Sequence, residues 1–164
     1  MKSQIISRDN KGFTLIEMVI VLALITIVGG LGLYFGLDSL RGYSFHSDRD
    51  VLVSVLQHAR SEAISNICRG EGCTDGKPHG VFIRPPEHPK SYVIFQGTDY
   101  ANRDIDYDVV IDVSSSTSFS GINEVVFERL SGNAITIGDI NLVDDRNHTS
   151  TISISSMGQI LWTN

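Results

Sequence analysis

Several things are scarce or missing in this chain of 164 residues, and each absence narrows what it does. No proline occurs before Pro78, so everything ahead of it lacks the usual helix breaker. Cations are few: 13 Lys and Arg face 19 Asp and Glu, for a formal net charge of -6. That balance weighs against a general phosphate-binding surface, because nucleic-acid affinity rests on cationic side chains that displace counterions. There are only two cysteines and no paired Cys-x-x-Cys set of the kind that holds structural zinc. There is no phosphate loop and no dinucleotide motif. The histidines His46, His58, His79, His88 and His148 are scattered, none beside a serine or cysteine nucleophile in a known motif. Neither an enzyme nor a cofactor is expected. Past Leu37 no second long apolar run follows, and a mean hydropathy of +0.04 excludes a polytopic membrane protein.

What is present is concentrated near the N-terminus. Met18 to Leu37 reads MVIVLALITIVGGLGLYFGL, without a charge. About 20 apolar residues at 1.5 Å rise span the hydrocarbon core of a bilayer. Within Met1–Gly12, Lys2, Arg8 and Lys11 stand against one acid, Asp9, and the positive-inside bias puts the N-terminus in the cytoplasm and the rest outside. A cleaved secretory signal fits poorly, since the run is too long and Gly36-Leu37-Asp38 is a poor A-x-A site. An ordinary signal anchor fits the length but leaves Glu17 unexplained: an ionisable group in hydrocarbon costs roughly 2.5 kcal/mol or more. Near the helix start Glu17 can snorkel to the interface, which is its plainest reading. Gly29, Gly30, Gly32 and Gly36 weaken the second half of the helix. They serve either close packing, through Gly32-x-x-x-Gly36, or local bending.

The junction Lys11-Gly12-Phe13-Thr14-Leu15-Ile16-Glu17 resembles the class III signal of type IV prepilins and type II secretion pseudopilins. The basic leader, the glycine, the phenylalanine, the glutamate five residues into the mature chain and the retained apolar helix are all present. The resemblance implies that a membrane prepilin peptidase cuts after Gly12 and methylates the new N-terminal Phe13. Gly12 would let an extended backbone enter the peptidase cleft. The resemblance also implies that the Glu17 carboxylate pairs with the Phe13 ammonium of a neighbouring subunit, selecting register in a filament core.

Beyond Leu37 the pattern becomes amphipathic. Phe45, Leu52, Leu56, Ala59, Ala63 and Ile67 recur at helical spacings, with Asp48, Arg49, Arg60 and Glu62 elsewhere around the helix. The stretch Leu56 to Ile64 resembles the GspH/FimT-type minor pseudopilins, as do VVFERLSGNAITI and TISISSMGQILW near the C-terminus. Period-two runs predict strands over Gly80–Arg84, Ser91–Gln96, Tyr107–Val113, Glu124–Arg129, Ala134–Leu142, Thr151–Ser155 and Gln159–Trp162. Turns are expected at Pro85, Pro86 and Pro89, at Ser131-Gly132-Asn133 and at Ser156-Met157-Gly158. The expected fold is α+β and pilin-like, a long N-terminal helix packed on an antiparallel β-sheet head. Its parts are a prepilin leader (1–12), a transmembrane and filament-core helix (13–37), the amphipathic half of that helix (38–67) and an extracytoplasmic head (68–164).

Cys68 and Cys73 enclose a short glycine-containing loop on the extracytoplasmic side and read as a disulfide. A metal alternative would recruit His79 or Asp75, and a disulfide-poor host would leave two thiols. The acidic loop Asp139, Asn141, Asp144, Asp145 and Asn147 lacks EF-hand spacing and reads as solvated. No metal site is expected. The expected function is that of a minor pseudopilin or pilin of a type II secretion pseudopilus or type IV pilus. Other pilins, the prepilin peptidase and an inner-membrane assembly platform would be its partners. It would be single-pass in the bacterial inner membrane with a periplasmic head. The alternative is a pilus-tip DNA- or surface-binding pilin. The acidic balance and the absence of Lys or Arg after Arg146 argue against nucleic acid.

Overall fold

The computed structural model describes residues 12–71, 73–85, 90–113 and 117–163, with the backbone alone over 33–44. The leader ahead of Gly12, His88, and the Pro86 and Pro89 part of the expected turn lie outside the described residues. The described chain is α+β. One helix, α1 (Leu15–Ile64), precedes β1 (His79–Ile83), β2 (Ser91–Gln96), β3 (Val109–Asp112), β4 (Thr117–Gly121), β5 (Glu124–Phe127), β6 (Gly138–Asp144), β7 (Thr149–Ile154) and β8 (Ile160–Thr163). The chain forms two compact units, Met1–Arg41 and Gly42–Asn164.

In the first unit the apolar side chains of the helix start face outward. Leu15 is 82% exposed, and Ile16 to Leu31 have no core of their own to enter. In the second unit the helical stripe expected from sequence faces inward: Phe45, Leu52, Leu56, Ala59 and Ala63 are buried. Ile67 falls past the end of the helix. The Ile67 N–H donates to Glu62 O (3.1 Å) and the Asn66 N–H to Ala63 O (3.1 Å), with Asn66 at φ 53°. That paired closure with a left-handed residue ends a helix and satisfies its last carbonyls.

The head has two antiparallel sheets instead of the one expected. Their strand orders are β3-β2-β1-β5 and β4-β6-β7-β8. Both lay alternate residues on the helix. Val81, Ile83, Tyr92, Ile94, Val125 and Phe127 come from the first sheet, and Ile140, Leu142, Ile152 and Ile154 from the second, into one buried cluster. Ala59 and Ala63, both fully buried, are the small residues of the helix at that packing surface.

The starts of β3 and β6 moved for local reasons, and one strand, β4, was not expected. Tyr107 belongs to a 3₁₀ turn, Ile105–Tyr107, so β3 starts two residues later. Ala134 makes only a single bridge to Phe127, and β6 begins at Gly138, whose φ is +151°. The serine-rich β4 carries too little apolar alternation to announce itself. It forms because β6 offers a partner, with Phe119 opposite Leu142.

The second sheet also changes the polar side of the helix. Asp48, Arg49 and Glu62, expected away from the apolar stripe, are 6%, 7% and 4% exposed. Thr117 Oγ1 of β4 donates to Asp48 Oδ2 (2.6 Å), and the Arg49 guanidinium lies 4.0 Å from the ring centre of Trp162 in β8. Each buried charge has been given a partner, as low dielectric requires. On the far face of the first sheet the segment after β2 folds back over Phe95, whose ring Tyr100 meets edge-on at 5.7 Å. There Tyr100 stacks on Phe82 at 3.8 Å, and Arg103 caps Tyr100 while bonding Asp108 at 2.8 Å.

Candidate functional site

The residues singled out at the N-terminus meet at the first turn of α1. Thr14 stands at the N-cap position, one residue ahead of Leu15. The Glu17 N–H donates to Thr14 Oγ1 (3.3 Å), and the Thr14 N–H donates to Glu17 Oε2 (3.4 Å). This is a capping box, two otherwise orphaned helix donors satisfied reciprocally. Glu17 thus has a local partner that the sequence reading missed, although the Thr-x-x-Glu spacing announces it. Its negative charge also sits at the positive end of the helix dipole.

Phe13, just outside the cap, is 79% exposed. Gly12 is exposed too, and a Cβ added there would meet no atom within 4 Å. Among the described residues nothing requires glycine at position 12. The same holds for Gly29, Gly30 and Gly32. Leu15–Gly32 has a mean hydropathy of 2.5 and none of it is buried, which makes α1 long and apolar enough to cross a membrane.

The head holds a second concentration of ionisable groups where α1 ends. Glu62, almost fully buried, bonds Arg69 through Oε1, with His58 Nε2 at 3.6 Å from the same oxygen. Its Oε2 lies 3.7 Å from Nε2 of the buried His79, and neither of these two atoms has a hydrogen-bond partner among the described residues. His79 Nδ1 is 3.0 Å from Lys77 O, which assigns that nitrogen the ring proton. Burial lowers the His79 pKa below the ordinary imidazole value against the opposing pull of Glu62, so the ring favours its neutral form.

Cys68 and Cys73 form a disulfide with Cα atoms 5.9 Å apart. The loop it closes is docked by a buried amide. Gln96 Oε1 accepts from the Arg69 N–H (2.7 Å), and Gln96 Nε2 donates to Arg69 O (3.0 Å) and to Asp104 Oδ2 (2.9 Å). A hydrogen bond from Lys77 Nζ (2.6 Å) and the bond from Gln96 hold Asp104 below the usual carboxylate range. Gln96 was not singled out in the sequence, where a polar residue ending a β-strand gives no signal.

The other candidates do not converge. Asp75 lies in the Cys73–Lys77 stretch, where its carbonyl oxygen is 3.7 Å from the disulfide-bonded Cys73 Sγ. His46 borders a surface groove. In the acidic loop, Asp144 Oδ1 accepts from the N–H groups of Arg146 (2.9 Å) and His148 (2.8 Å), and Oδ2 bonds His148 Nδ1 (2.7 Å). That carboxylate is consumed in shaping the β6–β7 turn. Among the described residues no group of three or more His, Cys, Asp or Glu is placed to hold a metal ion.

Against this geometry, residues 7–33 match the family model described as the prokaryotic N-terminal methylation motif. The matched stretch contains the Gly12–Phe13 junction, Glu17 and most of the exposed apolar run. No curated protein and no solved structure matches the chain significantly. Such a motif is carried by type IV pilin- and pseudopilin-like precursors. One N-terminal apolar helix together with this motif is consistent with a single-pass membrane protein.

Proposed function

We propose that this chain is a minor pseudopilin or pilin of the GspH/FimT type. A prepilin peptidase cuts it after Gly12 and methylates Phe13. The chain waits in the bacterial inner membrane with its head in the periplasm, then joins a filament through residues 13–37. Other pilins and the inner-membrane assembly platform are its partners, and the filament serves secretion or extends as a pilus.

One observation carries this reading: the methylation motif stands at the mouth of a helix whose apolar side chains, from Leu15 to Leu31, are covered by none of the described residues. Such a surface needs lipid before assembly and other helices afterwards, and a pilin supplies both in turn. The open space around Gly12 supports a requirement for glycine that comes from outside the fold.

The test is co-expression of the full chain with a prepilin peptidase, followed by mass spectrometry of the membrane fraction. The expected species begins with N-methyl-Phe13. Gly12→Leu blocks the cut and leaves the head folded, because no atom of the described residues crowds that position. An intact leader in the wild-type chain, or cleavage near Asp38, would overturn the proposal.

A further inference from the structure

The second sheet ends on β4, which pairs with β6 along one edge only. Just past β4, the Ile122 N–H donates to Asp139 O (3.1 Å), and that bond sets the phase of the antiparallel ladder. Ser118 and Ser120 then bond β6, while the N–H and C=O groups of Thr117, Phe119 and Gly121 point away from it. Lys90 Nζ agrees with that phase, reaching Thr117 O (2.5 Å) from outside the sheet. The Phe119 N–H and C=O have no such partner among the described residues. An edge of this kind is a template for a further extended backbone.

The free edge lines a slot of about 160 Å³, with Ile83, Arg84 and Pro85 from the end of β1 facing it. Ile83, Phe119 and Ile122 give the slot an apolar floor, and none of its lining residues is acidic. Its volume is close to that of cavities that take one benzene-sized group. The half-buried Arg84 guanidinium has neither a hydrogen-bond nor an ion-pair partner among the described residues. Other arginines of the head are spent on its own fold. Arg69 and Arg103 bond carboxylates, and Arg60 ties the turn after β5 to the turn after β7, donating to Gly132 O (3.1 Å) and Met157 O (3.2 Å).

Both ends of the slot are tied shut. Lys90 bonds Thr117 O at one end, and at the other the Ile83 N–H donates to Asn123 O (2.8 Å). A strand that ran through the slot would have to break one of these bonds, whereas the end of a chain would not. Of the two kinds of chain end, the unpaired Arg84 selects the carboxylate, and the Lys90 ammonium beside it adds to the same field. An N-terminal ammonium would meet two like charges and no acid.

We propose that this slot binds the C-terminal residue of an extended peptide whose last side chain is apolar. The last N–H of the peptide donates to Phe119 O. One carboxylate oxygen accepts from the Phe119 N–H and the other from Arg84. Cross-strand partners share a face, so the last side chain lies beside the Phe119 ring over the apolar floor. Main-chain bonds to the sheet edge supply affinity, and the pocket and Arg84 supply specificity. Only head residues take part, so the site does not depend on the pilin reading.

The test is fluorescence anisotropy of the full chain in non-ionic detergent, with an N-terminally labelled peptide Gly-Ser-Thr-Val-Phe that ends in a free carboxylate. Saturable binding is expected below about 1 mM. The C-terminal amide of the same peptide binds about tenfold more weakly, as does a version whose last peptide N–H is replaced by an ester oxygen. A last residue of serine, which leaves the slot unfilled, also weakens binding about tenfold. Arg84→Gln brings the free acid level with the amide while head melting stays unchanged, since no contact of the fold is lost. Amide NMR of the same sample locates the site through a shift of the Phe119 resonance on titration. No saturable binding, equal binding of acid and amide, or wild-type affinity in Arg84→Gln would overturn the proposal. So would shifts confined to α1, which would place the peptide on the exposed apolar helix.

Discussion

Thr14 and Glu17 hold each other at the mouth of α1: each accepts from the other's backbone N–H, at 3.3 and 3.4 Å. The carboxylate therefore has work to do before any filament exists. Two roles for Glu17, helix cap and partner for a neighbouring Phe13 ammonium, have to be separated by chemistry. Glutamine keeps the cap, because its amide oxygen still accepts from Thr14, but it loses the charge. Leucine loses both. If the charge neutralises an ammonium in an apolar core, Glu17→Gln and Glu17→Leu both fail to enter sheared filaments. Each leaves an unpaired buried charge at a cost of roughly 3 kcal/mol or more. Leader cleavage proceeds in both variants. Normal incorporation of Glu17→Gln beside a defective Glu17→Leu would assign the residue to capping alone.

The disulfide anchors a loop that then docks through Arg69. Loop-closure entropy for so few residues amounts to about 2 kcal/mol. Cys68→Ser should lower the urea stability of the solubilised chain by about that much, and the Arg69 contacts to Gln96 and Glu62 should loosen with it. Membrane residence stays unchanged, since Leu15–Gly32 is separate in the chain and fully exposed. The exported wild-type protein should weigh about 2 Da less than its reduced form, the two hydrogens lost on oxidation. Two alkylatable thiols in the native protein would refute this.

How much of this was legible in advance varies with the physics involved. The exposed apolar helix, the motif at its mouth and the buried stripe from Phe45 to Ala63 are local patterns of one chain segment, and one period identifies each. β2 was readable to the residue because all six of its positions are buried, with Pro89 and Gly97 as punctuating residues on either side in the sequence. β4 was not, since Thr117–Gly121 becomes a strand only through β6. Missing β4 meant missing the second sheet, and with it the burial of Asp48 and Arg49, whose partners Thr117 and Trp162 lie far along the sequence. The Glu62–His79 approach is non-local in the same way, set where α1 ends against β1.

His79 gives the head a pH dependence of definite sign. Burial lowers its pKa in the folded state, while an unfolded chain returns it to about 6.5. Below that value the unfolded chain takes up a proton that the folded head resists, so stability is fully present above about pH 6.5 and falls as the solution is acidified. Glu62, and more weakly Arg69 and His58, modulate this without reversing it. Melting of the solubilised chain should be level from pH 8 to 7 and decline below 6.5, and His79→Gln should flatten that decline. A melting temperature that rises on mild acidification would show the Glu62 attraction outweighing desolvation.

The glycines divide into those the head needs and those it does not, and Gly158 is the sharpest case of need. Its φ is +69°, which costs an alanine about 1–2 kcal/mol. A Cβ there would also overlap the Gly132 carbonyl oxygen and come within 2.8 Å of Arg60 Nε. The Gly132 oxygen is backbone and already accepts from Arg60, so it cannot retreat without breaking the tie between the two turns. Gly158→Ala should therefore destabilise the head by more than the conformational cost alone, about 2 kcal/mol or greater. Gly12→Ala and Gly29→Ala meet no atom within 4 Å and should leave head melting untouched. Thermal unfolding of the three solubilised variants followed by near-ultraviolet circular dichroism makes the comparison. Equal melting of Gly158→Ala and wild type would show that the β7–β8 turn can re-form around a side chain, and that Arg60 does not lock the two turns together.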